Sequence, residues 1–332
     1  MGMCVSTVSH EIHAVDFGNE NVVHYEDNNI NGYHQVIGSV FSQQGNKGLN
    51  QDSAILFQGY GVENGVFCGV FDGHGKNGHI VSKLVMNKLS SLLLKHILSL
   101  PKITTCPKVQ NVKFVDEESR KSKNFNKWKE AYLSSFKVMD KDIKSLDKLD
   151  CSSSGTTAVV AIRQDDDLII ANLGDSRAVL GRKTDEGIIE AIQLTTDLKP
   201  SLHSEAERII KCGGRVLALK EEPHIQRVWL PYEDVPGLAM SRAFGDFMLK
   251  SYGIISKPDV SYHHISPNDQ FLVLASDGVW DVLSNDQVVA LVRATNNAAK
   301  ASEAVARASL DAWKHKFPNS KRDDTTVICL FL

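Results

Sequence analysis

The 332-residue chain has no apolar run approaching the roughly 20 residues of a membrane-crossing helix, so no such span is expected. Its first residues lack a basic stretch followed by an apolar one, so a secretory signal is not expected either. None of the six cysteines forms a C-x-x-C pair, which argues against a zinc site and a disulfide framework. Reduced thiols are expected instead, with Cys68, Cys212 and Cys329 buried in or beside apolar runs. Charge of one sign is not in excess: the formal net charge is -3, which gives no reason to expect nucleic acid as a partner. There is no G-x-x-x-x-G-K-[ST] loop for a nucleotide, and no Lys or Arg precedes Lys47.

One further absence decides a question. The stretch FDGHGKNG places Gly73, Gly75 and Gly78 in a G-x-G-x-x-G pattern, as in a dinucleotide-binding turn. Such a turn needs an acid about 20 residues later to hold a ribose. No Asp or Glu occurs from Gly73 to Val115, and Asp72 would face the pyrophosphate's own negative charge. No nucleotide cofactor is expected.

Residues 1–32 are polar and Asn-rich without clear periodicity, and read as a flexible acidic leader. From residue 36 onward, IGSVFSQ, SAILFQG and VFCGVFD read as strands. Residues 77–97 place Ile80, Val81, Leu84, Val85, Leu89 and Leu92 on one helical face. A second helix carries Trp128, Ala131, Tyr132, Phe136, Met139 and Ile143 at similar spacing. Between them, residues 101–126 contain Pro101 and Pro107 and read as a surface insertion. GTTAVVAIR is a further strand, and DLIIANLGDSRAVLGR reads as a hairpin turning at Gly174-Asp175-Ser176. Ser204 to Glu207 and Ser284 to Gln287 have capping-box spacing; the first helix ends at Cys212-Gly213-Gly214, the second near Thr295. A helix over 301–316 and the strand TTVICLFL close the chain. Strands come in runs between helical pairs, which favours α+β with a mostly antiparallel core in one domain, 33–332.

The chemistry lies at the strand ends. Asp52 precedes SAILF, Asp72 follows VFCGVF, Asp175 follows LIIANLG, Asp277 follows FLVLAS, and Asp323 and Asp324 precede TTVICLFL. One such Asp is an ordinary turn or cap residue. Several at equivalent tips can converge on one rim, where like charges raise each other's pKa unless a cation intervenes. An all-oxygen donor set points to Mg²⁺ or Mn²⁺.

These motifs resemble the metal-dependent protein serine/threonine phosphatases of type 2C, through about residues 36–332. The resemblance rests on GNKGLNQD (45–52), VFDGHG (70–75), SSGTTA (153–158), ANLGDSRAVL (171–180), GLAMSRAFGD (237–246), LASDGVWD (274–281) and RDDTTV (322–327), in family order. The stretch RVWLPYEDVPGLAMSRAFGDF looks most like a plant branch. The resemblance implies two packed antiparallel sheets forming a sandwich flanked by pairs of helices. It implies two metals bridged by Asp72, with the Gly73 carbonyl, Asp277 and Asp323 as further ligands, and Asp52 holding a metal-bound water. Asp175, with Asp277 and Asp281, matches a weaker third metal position. Lys47 stands where the family often has Arg to bind the phosphate, and Gln51 where some relatives carry an acid. His74 is the expected general acid for the departing serine or threonine oxygen. GLAMSRAFGD is expected in a flap beside the cleft. Trp229 stands inside RVWLP rather than where hormone-receptor-inhibited plant members carry a flap tryptophan, so that regulation is not expected.

MGMCVS fits M-G-x-x-x-[ST], an N-myristoylation signal on Gly2. One acyl chain anchors weakly, and an acidic leader would be repelled by anionic lipid. Palmitoylation of Cys4 is the natural second signal. Phosphoprotein substrates, a monomer and a location at the cytosolic face of the plasma membrane follow as expectations. Two other readings stand beside this one: a lipid-anchored decoy without hydrolysis, which fits less well because every direct metal ligand is retained, and a phosphatase of small phosphate esters, which kcat/KM on phosphopeptides and metabolites would discriminate.

Overall fold

The structure, a computed structural model, describes residues 20–27, 35–62, 64–100 and 117–332. Gly2, Cys4, Cys106 and the first part of the expected insertion lie outside the described residues. Two antiparallel sheets are packed face to face. The six-stranded sheet has the order β1 (Glu20–Asp27), β2 (Gln35–Gln43), β17 (Thr325–Phe331), β16 (Asp269–Ala275), β9 (Arg177–Lys183), β10 (Ile189–Gln193). The five-stranded sheet has the order β15 (Asp259–His264), β8 (Asp167–Leu173), β7 (Ala158–Gln164), β4 (Val66–Phe71), β3 (Ser53–Gln58). The six-stranded sheet thus begins inside the stretch read as a leader, because β1 pairs along β2.

Strand periodicity of two explains the layers. In β4, Cys68 and Val70 face the core between the sheets, while Phe67 and Phe71 face the helices α1 (Gly78–Ser99) and α2 (Glu117–Lys144). In β16, Leu272 and Leu274 face the inter-sheet core, while Val273 and Ala275 face α5 (Asn285–Ala294) and α6 (Ala301–Lys316). Strands buried on both faces read as continuous apolar runs, which is how the sequence shows them. The expected sandwich with flanking helix pairs is what forms.

The second helix buries all six residues assigned to its apolar face. The first differs at its start: Ile80 is exposed, and Met86 and Leu93 join Val81, Val85 and Leu89 in the core. The stripe runs along i, i+4 and i+8 from Val81, so Ile80 falls one residue off it. Residues 117–126, read as part of the insertion, belong to α2.

The hairpin expected at Gly174-Asp175-Ser176 is not one. β8 pairs with β7 and β15, whereas β9 pairs with β16 and β10, in the other sheet. The three residues carry the chain from one layer to the other, with Gly174 at φ 106°, a left-handed conformation glycine adopts readily. Both strands are buried on both faces, so their patterns fit either arrangement. The short helix α3 (His203–Lys211) starts one residue before the expected cap, with Leu202 at the cap position and no side-chain cap bond. Glu207 instead faces His203 and Lys211. The second capping box, Ser284 with Gln287 on α5, forms as expected. Cys68, Cys151 and Cys329 are buried free thiols; Cys212 is exposed, because α3 ends at the surface there.

Two small sheets complete the fold. One, of β11 (Arg215–Ala218), β12 (Gln226–Trp229) and β13 (Pro236–Leu238), leads into the GLAMSRAFGD stretch of the expected flap and has its own core of Ile209, Val228, Leu238 and Leu249. The other has the order β14 (Phe244–Gly245), β6 (Gly155–Thr156), β5 (Gly73–His74).

Candidate active site

Asp72 directly follows β4 and its main chain is held on both sides. Its N–H donates to Thr157 Oγ1 at 3.0 Å, and its carbonyl accepts from Thr157 N at 2.9 Å and Thr156 Oγ1 at 3.0 Å. Gly73 follows in a space that admits no side chain: an added Cβ would lie 2.5 Å from the carbonyl oxygens of Gln51 and Gly78. The second glycine of the FDGHG stretch, Gly75, adopts φ 79° at the turn leading into α1. These glycines allow close backbone packing and a turn.

Asp277 opens the one-turn helix α4 (Asp277–Trp280) directly after β16. The preceding Ser276 donates from Oγ to Asp52 Oδ2 at 2.8 Å, tying the start of β3 in one sheet to the end of β16 in the other. The two acids before β17 divide their work. Asp324 accepts from Gly45 N and Gln51 N, both at 2.8 Å, and shapes the loop that carries Lys47. Asp323 is paired with Lys47. Asp175, on the crossover between sheets, lies 3.8 Å from Lys199, which also reaches Asp281 at 3.3 Å.

The electrostatics show that these tips share one rim. Asp72 is pushed well above the usual carboxylate range, first by burial and then by the charges of Asp52, Asp277, Asp323 and Asp175. Asp277 is raised likewise by burial and then by Asp323, Asp281 and Asp175. Asp52 is raised to about 7 by burial and by Asp324, against its hydrogen bonds. Asp175 is raised to about 6 by burial, with Lys199 opposing. Lys47 is raised in spite of burial, by Asp323, Asp277 and Asp72. A set of buried acids that destabilise one another is stable when ionised only with added positive charge.

The donor set fits a hard divalent cation. Every group is an oxygen, and Asp175 Oδ1 and Gln51 Oε1 are buried without a hydrogen-bond partner. Among the described residues, no three His, Cys, Asp or Glu side chains are drawn close enough to hold an ion as they stand. Lys47 holds Asp323 and Lys199 holds Asp175 and Asp281, so ammonium groups take part of the charge.

His74 completes the group. Its Nε2 lies 2.7 Å from Asp246 Oδ2, and its Nδ1 is buried without a hydrogen-bond partner. Burial lowers the imidazole's pKa; the charge and hydrogen bond of Asp246 outweigh that and leave it raised. Sequence reasoning placed the acids and His74 but missed Ser276, Lys199 and Asp246. Asp246 closes the quoted GLAMSRAFGD stretch, yet nothing in its spacing pointed to a histidine 172 residues away.

Comparisons with known proteins agree with one another. The family model described as protein phosphatase 2C matches residues 58–315. The chain is 52% identical to "Probable protein phosphatase 2C 72" of Arabidopsis thaliana over all of this chain and 98% of that one. It is 45% identical to "Probable protein phosphatase 2C 12" of Oryza sativa subsp. japonica, over all of this chain and 92% of that one. A solved serine-threonine phosphatase 2C from Toxoplasma gondii superposes with a TM-score of 0.75 at 24% identity, covering 94% of this chain and 99% of its own. A C. elegans sex determining protein superposes at 0.66 with 21% identity, over 96% of this chain and 66% of its own. These two share the fold.

Proposed function

The chain belongs to the protein phosphatase 2C family and is a protein serine/threonine phosphatase, and from that premise we propose how its own residues divide the reaction. The observation that carries the proposal is the convergence of Asp52, Asp72, Asp175 and Asp277 on one buried rim, where their charges disfavour one another. Asp72, Asp277, Asp323 and the Gly73 carbonyl would hold two Mg²⁺ or Mn²⁺ ions, with Asp175 serving a weaker third position. When bound, such ions supply an acidified water near neutral pH and positive charge for the phosphoryl oxygens.

The protein's groups supply the rest. Asp52 accepts from Ser276 and keeps one carboxylate oxygen in place to orient the attacking water. Lys47 swings between Asp323 and the incoming phosphate as a point charge. His74 donates a proton to the serine or threonine oxygen as its bond to phosphorus breaks. The expected result is Mg²⁺- or Mn²⁺-dependent phosphate release from a phosphothreonine peptide, lost in Asp72→Asn. Metal-independent turnover of equal rate would overturn the assignment.

The N-terminal motif supports a location at the cytosolic face of a membrane, with Gly2 myristoylated and Cys4 palmitoylated. There the enzyme would act in signalling, as a monomer. Gly2→Ala is expected to move the protein from the membrane to the soluble fraction; an unchanged membrane fraction argues against acylation.

A further inference from the structure

The three-stranded sheet β14–β6–β5 is too small to have a core of its own, and its strands are two residues long. It joins three distant segments and brings together His74 at one edge strand and Asp246 just past the other. Asp246 is buried, at φ 51°, in a left-handed conformation that Asp tolerates better than most residues. Its N–H donates to Ser154 O at 3.0 Å, and the preceding Gly245 N–H donates to Asp140 Oδ1 at 3.0 Å. Lys250 closes the back of this turn, 3.0 Å from Asp140 and donating to Ala243 O at 2.7 Å. Gly155, on the middle strand, is what lets the pair meet. A Cβ there would run into the Asp246 carboxylate and lie 2.9 Å from His74 Nε2.

We infer that Asp246 is the positioning residue for the proton donor, holding the His74 ring by Nε2 so that Nδ1 is the atom that delivers the proton. The inference rests on reading His74 as the general acid. A carboxylate only accepts, so Nε2 carries a hydrogen in either charge state of the ring. Nδ1 is buried without a partner, and a buried polar atom without one is rare enough to require a reason. The step balances. Water oxygen bonds to phosphorus, the bond from phosphorus to the serine or threonine oxygen breaks, and that oxygen takes the Nδ1 proton. The ring is left neutral, its Nε2–H still donating to Asp246, and the proton released by water restores the one lost from Nδ1.

Leaving-group dependence tests this in the full metal-loaded chain. Asp246→Asn keeps the shape and the left-handed tolerance. Its kcat on a phosphothreonine peptide is expected to fall by about 10- to 100-fold, a part of the ~10²–10⁴ a general acid supplies, with KM unchanged. On p-nitrophenyl phosphate, whose leaving group needs no proton, it is expected to stay close to wild type. His74→Gln should show the same split, and the double variant no further loss. Equal loss on both substrates in Asp246→Asn, or no loss on either, overturns the inference. If His74→Gln itself shows no split, the acid reading fails instead. Should Asp246→Asn not fold, ¹⁵N spectra of the wild-type chain decide: neutral His74 is expected with hydrogen on Nε2, and hydrogen on Nδ1 overturns the inference.

Discussion

Lys47 shows what a single side chain contributes and where it falls short. It stands on a loop shaped by Asp324, half exposed, and its one ammonium can meet the phosphate at one point at a time. A guanidinium offers a planar fork to two oxygens. Lys47→Arg is therefore expected to lower KM for a phosphothreonine peptide by about three- to tenfold, the worth of one added charge-assisted hydrogen bond, with little change in kcat. Steady-state kinetics on the two proteins check it. At this scale the sequence was most legible where chemistry is carried by residue type: Asp72, Asp277 and Asp323 are recognisable because acids rarely end apolar strands together. It was least legible for Ser276, whose hydrogen bond to Asp52 spans 224 residues, and for Asp324, which looks like a ligand beside Asp323 but serves as a loop clamp.

Among elements, the flap depends on a buried charge cluster. Glu205 on α3 receives Arg208 Nη2 at 2.8 Å and Arg242 Nη2 at 2.7 Å, and Ser241 Oγ donates to it as well. Burial would raise its pKa; these hydrogen bonds and charges bring it down to about 2. A depressed folded-state value means that the stabilisation is present above the unfolded pKa near 4.3 and is lost as pH falls from there toward 2. Glu205→Ala leaves two guanidinium groups facing each other, partly exposed, and is expected to cost about 2–3 kcal/mol, somewhat below the full cost of breaking a buried pair. Urea unfolding measures the loss, and faster amide exchange in β11–β13 would localise it to the flap. The helix and strand patterns were readable because burial on one face imposes a period. The crossover at Gly174 was not, because strands buried on both faces carry no mark of which sheet they join.

The whole molecule holds a rim of acids from both sheets and is set against itself without bound cations. Asp52, at about 7, and Asp175, at about 6, both lie above the unfolded value near 3.9. The folded metal-free protein thus binds more protons than the unfolded chain between about pH 4 and 7. The contribution of these two acids to stability is greatest below that window and falls as pH rises through it. In chelator, Tm is expected to drop from pH 5.5 to pH 8, and Mg²⁺ at pH 8 to reverse the drop. Asp72→Asn removes one of the repelling charges and is expected to raise the chelated Tm at pH 8 by about 2–5 °C while weakening the response to Mg²⁺. Scanning calorimetry at the two pH values checks both signs.

By itself the sequence determined the strands, most of the helices, the acids at the strand tips and the oxygen-only donor set. These follow from local periodicity and residue chemistry, which depend on neighbours a few positions away. Only the tertiary structure decided that β8 and β9 lie in different sheets, that Asp323 and Asp324 have different tasks, and that Asp246 meets His74. Each of those depends on segments more than a hundred residues apart, or on which of two buried faces a strand presents. A short-range pattern holds no record of either.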